Sequence, residues 1–227
     1  MKQKILLIVF SCLFVLAGRA QQREDRNLDS FNELSVGEAI RVTLIKGTRE
    51  KAEIIASGID LEDVITDVSG NGLRIHLEGN NYRNIDVQIN LTYRELEEIS
   101  ISSAARVVAE EAITASSLEI EVSSAGGGEL NLNAGNVEID VSSAGKLELS
   151  GKADRLEVDI SSAGDLDAYE LQCQEAEIDV SSGGSANVFI TNRIDARANS
   201  GGNIRYKGEP EKVFVNSNSG GSVKKRE

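Results

Sequence analysis

Between residues 99 and 221 the chain repeats one short pattern at nearly constant spacing. The copies read ISISSAA (99–105), LEIEVSSAG (118–126), VEIDVSSAG (137–145), LEVDISSAG (156–164), AEIDVSSGG (176–184), IDARANSGG (194–202) and VFVNSNSGG (213–221). The second turn position falls at Ser103, Ser124, Ser143, Ser162, Ser182, Ser200 and Ser219, in steps of 21, 19, 19, 20, 18 and 19 residues. A fixed period in this range marks a solenoid, whose units bury their apolar faces by stacking on one another. The L-x-x-L-x-L-x-x-N pattern of a leucine-rich repeat is missing, and so is the G-G-x-G-x-D run of a calcium-binding roll.

Each unit opens on strict alternation. Val137, Ile139 and Val141 are apolar while Glu138 and Asp140 are charged, the period-2 pattern of a strand with one buried face. Ser-Ser-Ala-Gly then ends the strand. Gly126, Gly145, Gly164, Gly184, Gly202 and Gly221 are expected to supply the positive φ that a tight turn needs. A second alternating stretch follows, such as Lys146-Leu147-Glu148-Leu149, and a second polar turn closes the unit, as in Asn133 to Asn136 or Ser150 to Ala153. The expected fold is therefore all-β, a two-sheet β-solenoid of about 19–20 residues per coil. In-register stacking at ~4.8 Å makes the repetitive section roughly 30 Å tall.

The rest of the chain divides around this array. Lys2 and Lys4, the apolar residues from Ile5 to Ala17 and the small residues Gly18 and Ala20 read as a secretory signal peptide over residues 1–20. A linker over 21–28 leads into an N-terminal β region over 29–98. It lacks the repeat but carries strand patterns at Ile40 to Leu44 and Ile85 to Ile89, and a turn at Ser69-Gly70-Asn71-Gly72 before Leu73 to Leu77. This region is expected to cap the solenoid over 99–223, because an open end exposes unpaired backbone. Residues 224–227, Lys-Lys-Arg-Glu, form a charged tail suited to an edge that must not recruit a neighbour.

Charge narrows the partners. Removing the leader takes three bases from 24, leaving 21 Lys and Arg against 37 Asp and Glu, a net charge of −16. Such a surface repels phosphate backbones and anionic headgroups, so no nucleic acid and no direct membrane insertion are expected. Of the two cysteines only Cys173 follows the leader, so no intrachain disulfide is available. Cys173 is either a small buried hydrophobe or a link between chains, which leaves an oligomer open.

Chemistry-bearing constellations are few. His76 is the one histidine and lies on the polar side of an alternating strand, which leaves neither a usual zinc set nor a base for serine catalysis. No catalytic residue and no cofactor are expected. The acidic positions stack into two columns, Glu119, Glu138, Glu157, Glu177 and Glu121, Asp140, Asp159, Asp179. Like charges directly opposite on neighbouring strands repel. These side chains either splay into water, the simpler reading, or hold a hard cation such as Ca²⁺. No base is expected on the face between the columns. Tyr82, Tyr93, Tyr169 and Tyr206 look scattered, with no aromatic stripe for sugars.

Three stretches together resemble a known family: Phe31 to Leu44, Gly72 to Leu77, and the Ser-Gly turns from Ser102 to Gly221. They are similar to the auto-transporter adhesin, head GIN domain family of Bacteroidetes-type envelopes. The resemblance implies a β-helical architecture and a role in adhesion, and it carries no catalytic residues. The expected function is an exported, non-catalytic adhesive scaffold, in the periplasm, on the outer membrane or outside the cell, that presents a polar face to a protein or glycan partner. A glycan- or ligand-binding module is the second reading and a polysaccharide lyase the third, since fold alone does not choose.

Overall fold

The computed structural model describes residues 21–79 and 82–226. The expected signal peptide and Glu227 lie outside the described residues. The first eight strands are short: β1 (Gln22–Asn27), β2 (Glu33–Val36), β3 (Arg41–Lys46), β4 (Lys51–Ser57), β5 (Val64–Ser69), β6 (Gly72–Leu77), β7 (Asp86–Tyr93) and β8 (Glu98–Ile101). Five long strands follow, β9 (Arg106–Val122), β10 (Gly127–Val141), β11 (Lys146–Ile160), β12 (Asp165–Val180) and β13 (Ser185–Ala198). The chain closes on β14 (Asn203–Lys207), β15 (Lys212–Ser217) and β16 (Ser222–Lys225). All pair into one continuous ladder wound round an aliphatic core, a β-solenoid.

The stacking follows the repeat. Val137 of β10 pairs in parallel with Leu118 of β9 and Leu156 of β11, and Ile139 pairs with Ile120 and Val158. Each of these side chains is buried, so every core row is a column of aliphatics one coil apart. Cys173 fits such a column, between Ala153 and Ile190. It is wholly buried and burial pushes its thiol up to about 12, so it packs as a protonated core group rather than as a nucleophile.

Two expectations about the corners need correction. The positive φ does not fall on the last glycine of Ser-Ser-Ala-Gly. It falls on the two residues before it, Ser143 (49°) and Ala144 (60°), with Ser124 and Ala125, and Ser162 and Ala163, alike. Two successive positive φ values are the signature of a mirror-image I′ turn, closed here by the Gly145 N–H donating to the Ser142 carbonyl at 2.8 Å. Gly145 is required for space instead. A Cβ there would lie 2.5 Å from the Val122 carbonyl oxygen of the preceding coil, and Gly126 and Gly164 are equally tight against Ile101 and Val141. The corners also stack on one another, the Ala125 N–H donating to the Ser143 carbonyl at 3.0 Å and the Ala144 N–H to the Ser162 carbonyl at 3.1 Å.

The second correction concerns the other corner. It is no loop between two strands, because β10, β11 and β12 run through it unbroken. The bend shows as a slip in the alternation, with two successive outward residues at Gly135-Asn136, Asp154-Arg155 and Gln174-Glu175. Ala134 and Ala153, read from sequence as turn residues, are core.

The N-terminal stretch carries the same corner without its motif. Glu38 and Ala39 have φ of 60° and 58°, the Ile40 N–H donates to the Gly37 carbonyl, and the Ala39 N–H donates to Ser103. β2 and β3 thus form a coil. That coil lies out of sequence order, with β2 between β6 and β8 and β3 between β7 and β9. Beyond it, β4 adds antiparallel to β7 and β1 antiparallel to β4 on one face, and β5 adds antiparallel to β6 on the other. The Ser69-Gly70-Asn71-Gly72 turn makes the β5–β6 hairpin as read from sequence.

Candidate functional site

The alternation that buries Val137, Ile139 and Val141 sends Glu138 and Asp140 outward, and parallel register places each directly beside its equivalent in the next coil. The eight acidic positions therefore form two rows. Glu119, Glu138, Glu157 and Glu177 are mutual partners in one, and Glu121, Asp140, Asp159 and Asp179 in the other. The first row is longer than the four positions read from sequence: Glu33 and Glu98 extend it at one end and Asp195 at the other. Glu98 precedes the copy ISISSAA at the position of Glu119, whereas Glu33 lies outside the repeat and only the strand pairing exposes it as a member.

The electrostatics follow from this crowding. Burial, and then the charges of Asp140 and Asp179, raise the Asp159 carboxyl above the ordinary range. Burial, and then Glu33, Glu119 and Glu121, raise Glu98. All of the eight acids except Glu121 line a shallow trough whose floor is Ile139 and Val158. Among the described residues no three His, Cys, Asp or Glu side chains converge as a metal-binding group.

The expectation that this face holds no base is overturned. Arg197 occupies the second row directly after Asp179. Its guanidinium bonds to Glu177 and Asp179, each at 3.0 Å, and lies 3.2 Å from Asp195. Those bonds raise the guanidinium further above its usual value. Arg155 reaches Glu177 at 4.0 Å from the flank. The copy IDARANSGG carries Arg197 where the four copies before it carry an acid, so the signal was present in the repeat itself. The second acidic row thus ends on a cation at its C-terminal side, the first ends on Asp195, and both stay uncompensated in the middle coils.

Two further hollows lie elsewhere. On the opposite face Tyr169 is not isolated. Arg226 stacks on its ring at 4.7 Å, Lys207 lies 4.9 Å from the Phe189 ring, and Glu129, Glu148 and Asp167 line the same hollow. Tyr82 packs against the core edge and Tyr93 and Tyr206 are buried. Near the N-terminal end Glu50 is buried, accepts a hydrogen bond from Ser30 at 2.8 Å and faces Arg94 at 3.7 Å. His76 is half-buried on β6 opposite Ile65, with no hydrogen-bond partner for Nδ1 among the described residues.

With the geometry in place, comparison with known proteins is informative. The sequence profile of the family described as "putative auto-transporter adhesin, head GIN domain" matches residues 30–210. A crystal structure of a "putative adhesin" from Bacteroides fragilis superposes with a TM-score of 0.84 at 20% identity, covering 92% of this chain and 98% of that one. A second, a "putative adhesin" from Parabacteroides merdae, gives a TM-score of 0.76 at 19% identity, covering 91% and 96%. A third, a "putative lipid binding protein" from Parabacteroides distasonis, gives 0.66 at 20% identity, covering 91% and 97%. At these identities the likeness shows the fold alone. No curated protein matches the chain.

Proposed function

Because the chain belongs to the putative auto-transporter adhesin, head GIN domain, family, we propose that it is a non-catalytic adhesive scaffold of the cell envelope whose acidic face engages a positively charged partner. One observation carries this reading: the two in-register carboxylate rows that β9 to β12 hold on one exposed face. Stacking like charges opposes the fold, at about 0.2–1 kcal/mol for directly opposed pairs. A face that works against stability is better explained by what it contacts than by what it holds up. A rigid parallel ladder also keeps the carboxylates at fixed spacing, so a partner pays little ordering cost for the scaffold.

The test is a neutralised face. A variant with Glu138→Gln, Asp140→Asn, Glu157→Gln and Asp159→Asn keeps the shape and removes four charges. Surface plasmon resonance on immobilised chain, with envelope fragments as analyte, should show at least a tenfold loss of binding. The same variant should melt no lower than the parent. Undiminished binding would remove the acidic face from the adhesive role. A second reading, a glycan-binding module, is favoured by the hollow around Tyr169, where an aromatic ring sits among Glu129, Glu148 and Asp167. Retention on a glycan array that vanishes with Tyr169→Ala would move the function there.

A further inference from the structure

Four connections in the N-terminal region converge on one recess of about 250 Å³: the segment from β1 to β2, the residue before β4, the β5–β6 turn and the segment that leaves β7. Main-chain bonds hold its walls in place. The Asn32 and Glu33 N–H groups donate to the Asn71 carbonyl at 3.0 and 3.1 Å, the Leu28 N–H to the Glu50 carbonyl at 3.2 Å, and the Glu97 N–H to the Asn32 carbonyl at 2.8 Å. Side chains tighten the same frame, with the Asn32 amide donating to Glu97 at 2.6 Å and the Asn71 amide donating to Glu33. The recess is thus formed before any ligand arrives, as small-molecule sites usually are.

Its lining is short of donors. Glu50, 9% exposed, is the one buried charged side chain among the described residues. A buried carboxylate is costly unless it is paired and hydrogen-bonded. Glu50 accepts one hydrogen bond, from the Ser30 hydroxyl at 2.8 Å, and Arg94 stands off at 3.7 Å, beyond an ordinary N–H···O bond. Both contacts fall on Oε1, and Oε2 has no hydrogen-bond partner among the described residues. The bond to Glu97 fixes the Asn32 amide, because a carboxylate only accepts, and leaves Asn32 Oδ1 buried without a partner. Phe31, itself buried in the core, gives the recess an apolar side.

These groups select a ligand by charge and by hydrogen bonding. The lining carries two acids, Glu50 and Glu95, against one base, Arg94, so it disfavours an anion. A cation at Glu50 would sit beside Arg94 and be repelled by it. A neutral hydroxyl both donates and accepts, and it meets either fault at no charge cost. We propose that this recess binds one neutral sugar ring by two neighbouring hydroxyls, one donating to the Glu50 carboxylate and the other accepting from the Arg94 guanidinium. The size agrees, since 250 Å³ falls just below the ~300–1,000 Å³ of sites that enclose drug-sized molecules, room for a ring rather than a chain. The site shares no lining residue with the acidic trough or with the hollow around Tyr169, so it stands or falls apart from both.

The probes are D-galactose, D-mannose and N-acetyl-D-glucosamine, each titrated into the isotope-labelled full chain while backbone amide shifts are followed by NMR. At least one should give saturable shifts centred on Ser30, Glu50, Gly70 and Arg94. Glu50→Gln, which keeps the size and removes the carboxylate, should weaken that binding at least tenfold, and Arg94→Met should do the same. The same sugar with every hydroxyl O-methylated should not bind, a control that leaves the protein unaltered. No saturable shift with any of the three sugars overturns the proposal, as does equal binding by Glu50→Gln or of the methylated sugar. Shifts centred on Tyr169 instead would move sugar binding to the other hollow. Tighter binding of ethanolamine or D-glucuronate than of any neutral sugar would make this an ammonium or an anion site, and would equally overturn it.

Discussion

At the residue scale the corner carries the sharpest consequence. Serine and alanine at positive φ are strained, at roughly 1–2 kcal/mol per residue for an L side chain in the left-handed region. The array itself relieves the strain in later copies, where Gly183, Gly201 and Gly220 take the place of Ala125, Ala144 and Ala163. Replacing Ala144 by Gly should therefore stabilise the chain. The extra freedom of glycine in the unfolded state returns about 0.4–1 kcal/mol of that gain, so the net is a few tenths to ~1 kcal/mol. Gly145→Ala should do the reverse and cost more than ~2 kcal/mol, because its Cβ meets the Val122 carbonyl, which is held in the ladder and cannot yield. Urea unfolding of the two single variants separates these outcomes, and a stable Gly145→Ala chain would mean the coils can spread at the corner. From sequence the turn was legible but its strained residues were not. Glycine is the usual bearer of positive φ, so propensity pointed to Gly145, whereas the glycine is demanded by a neighbour one coil away that no local pattern reveals.

At the level of the element, the period-2 code told almost everything about which side chains point inward. Val137, Ile139, Val141, Leu147 and Leu149 are buried as their alternation required. The code failed only where the phase slips, at the second corner, because a bent but unbroken strand keeps its ladder and gives no turn residues to read. Position along the stack then sets how much each inward residue contributes. Ile139 and Val215 both belong to the core column that runs through Ile178 and Ala196, but one is 1% exposed and the other 54%. Ile139→Ala should cost about 2–4 kcal/mol from lost burial and the cavity left behind. Val215→Ala should cost under ~1 kcal/mol, since most of its apolar area is already in water. Thermal melts of the two variants check the ratio, and equal losses would mean that the C-terminal coil is covered in solution.

For the whole molecule, the repeat announced the solenoid and left the order of its first coils hidden. Coil β2–β3 slots between two later segments through pairings such as Leu34 with Ile99 and Val42 with Val107, which no repeat marks. The acidic rows are the other whole-molecule property, since their repulsion sums over coils. Asp159 and Glu98 have folded-state values raised above the unfolded ones. A raised carboxyl gives stability that is fully present below the unfolded value and is lost as pH rises through the folded value. Lowering the pH from 7 into the upper carboxylate range should therefore raise the melting temperature, and Asp159→Asn should flatten that rise. Monovalent salt should act in the same direction and gradually, as the Debye length falls from ~10 Å at 0.1 M to ~3 Å at 1 M. A Ca²⁺ site would behave differently, saturating and stabilising by RT ln(1 + [L]/Kd). The eight acids sit in rows rather than round a common point, so millimolar CaCl₂ should give the same melting curve as NaCl at matched ionic strength. A saturating rise beyond the NaCl curve, lost with Asp140→Asn and Asp159→Asn together, would instead place a cation between the rows.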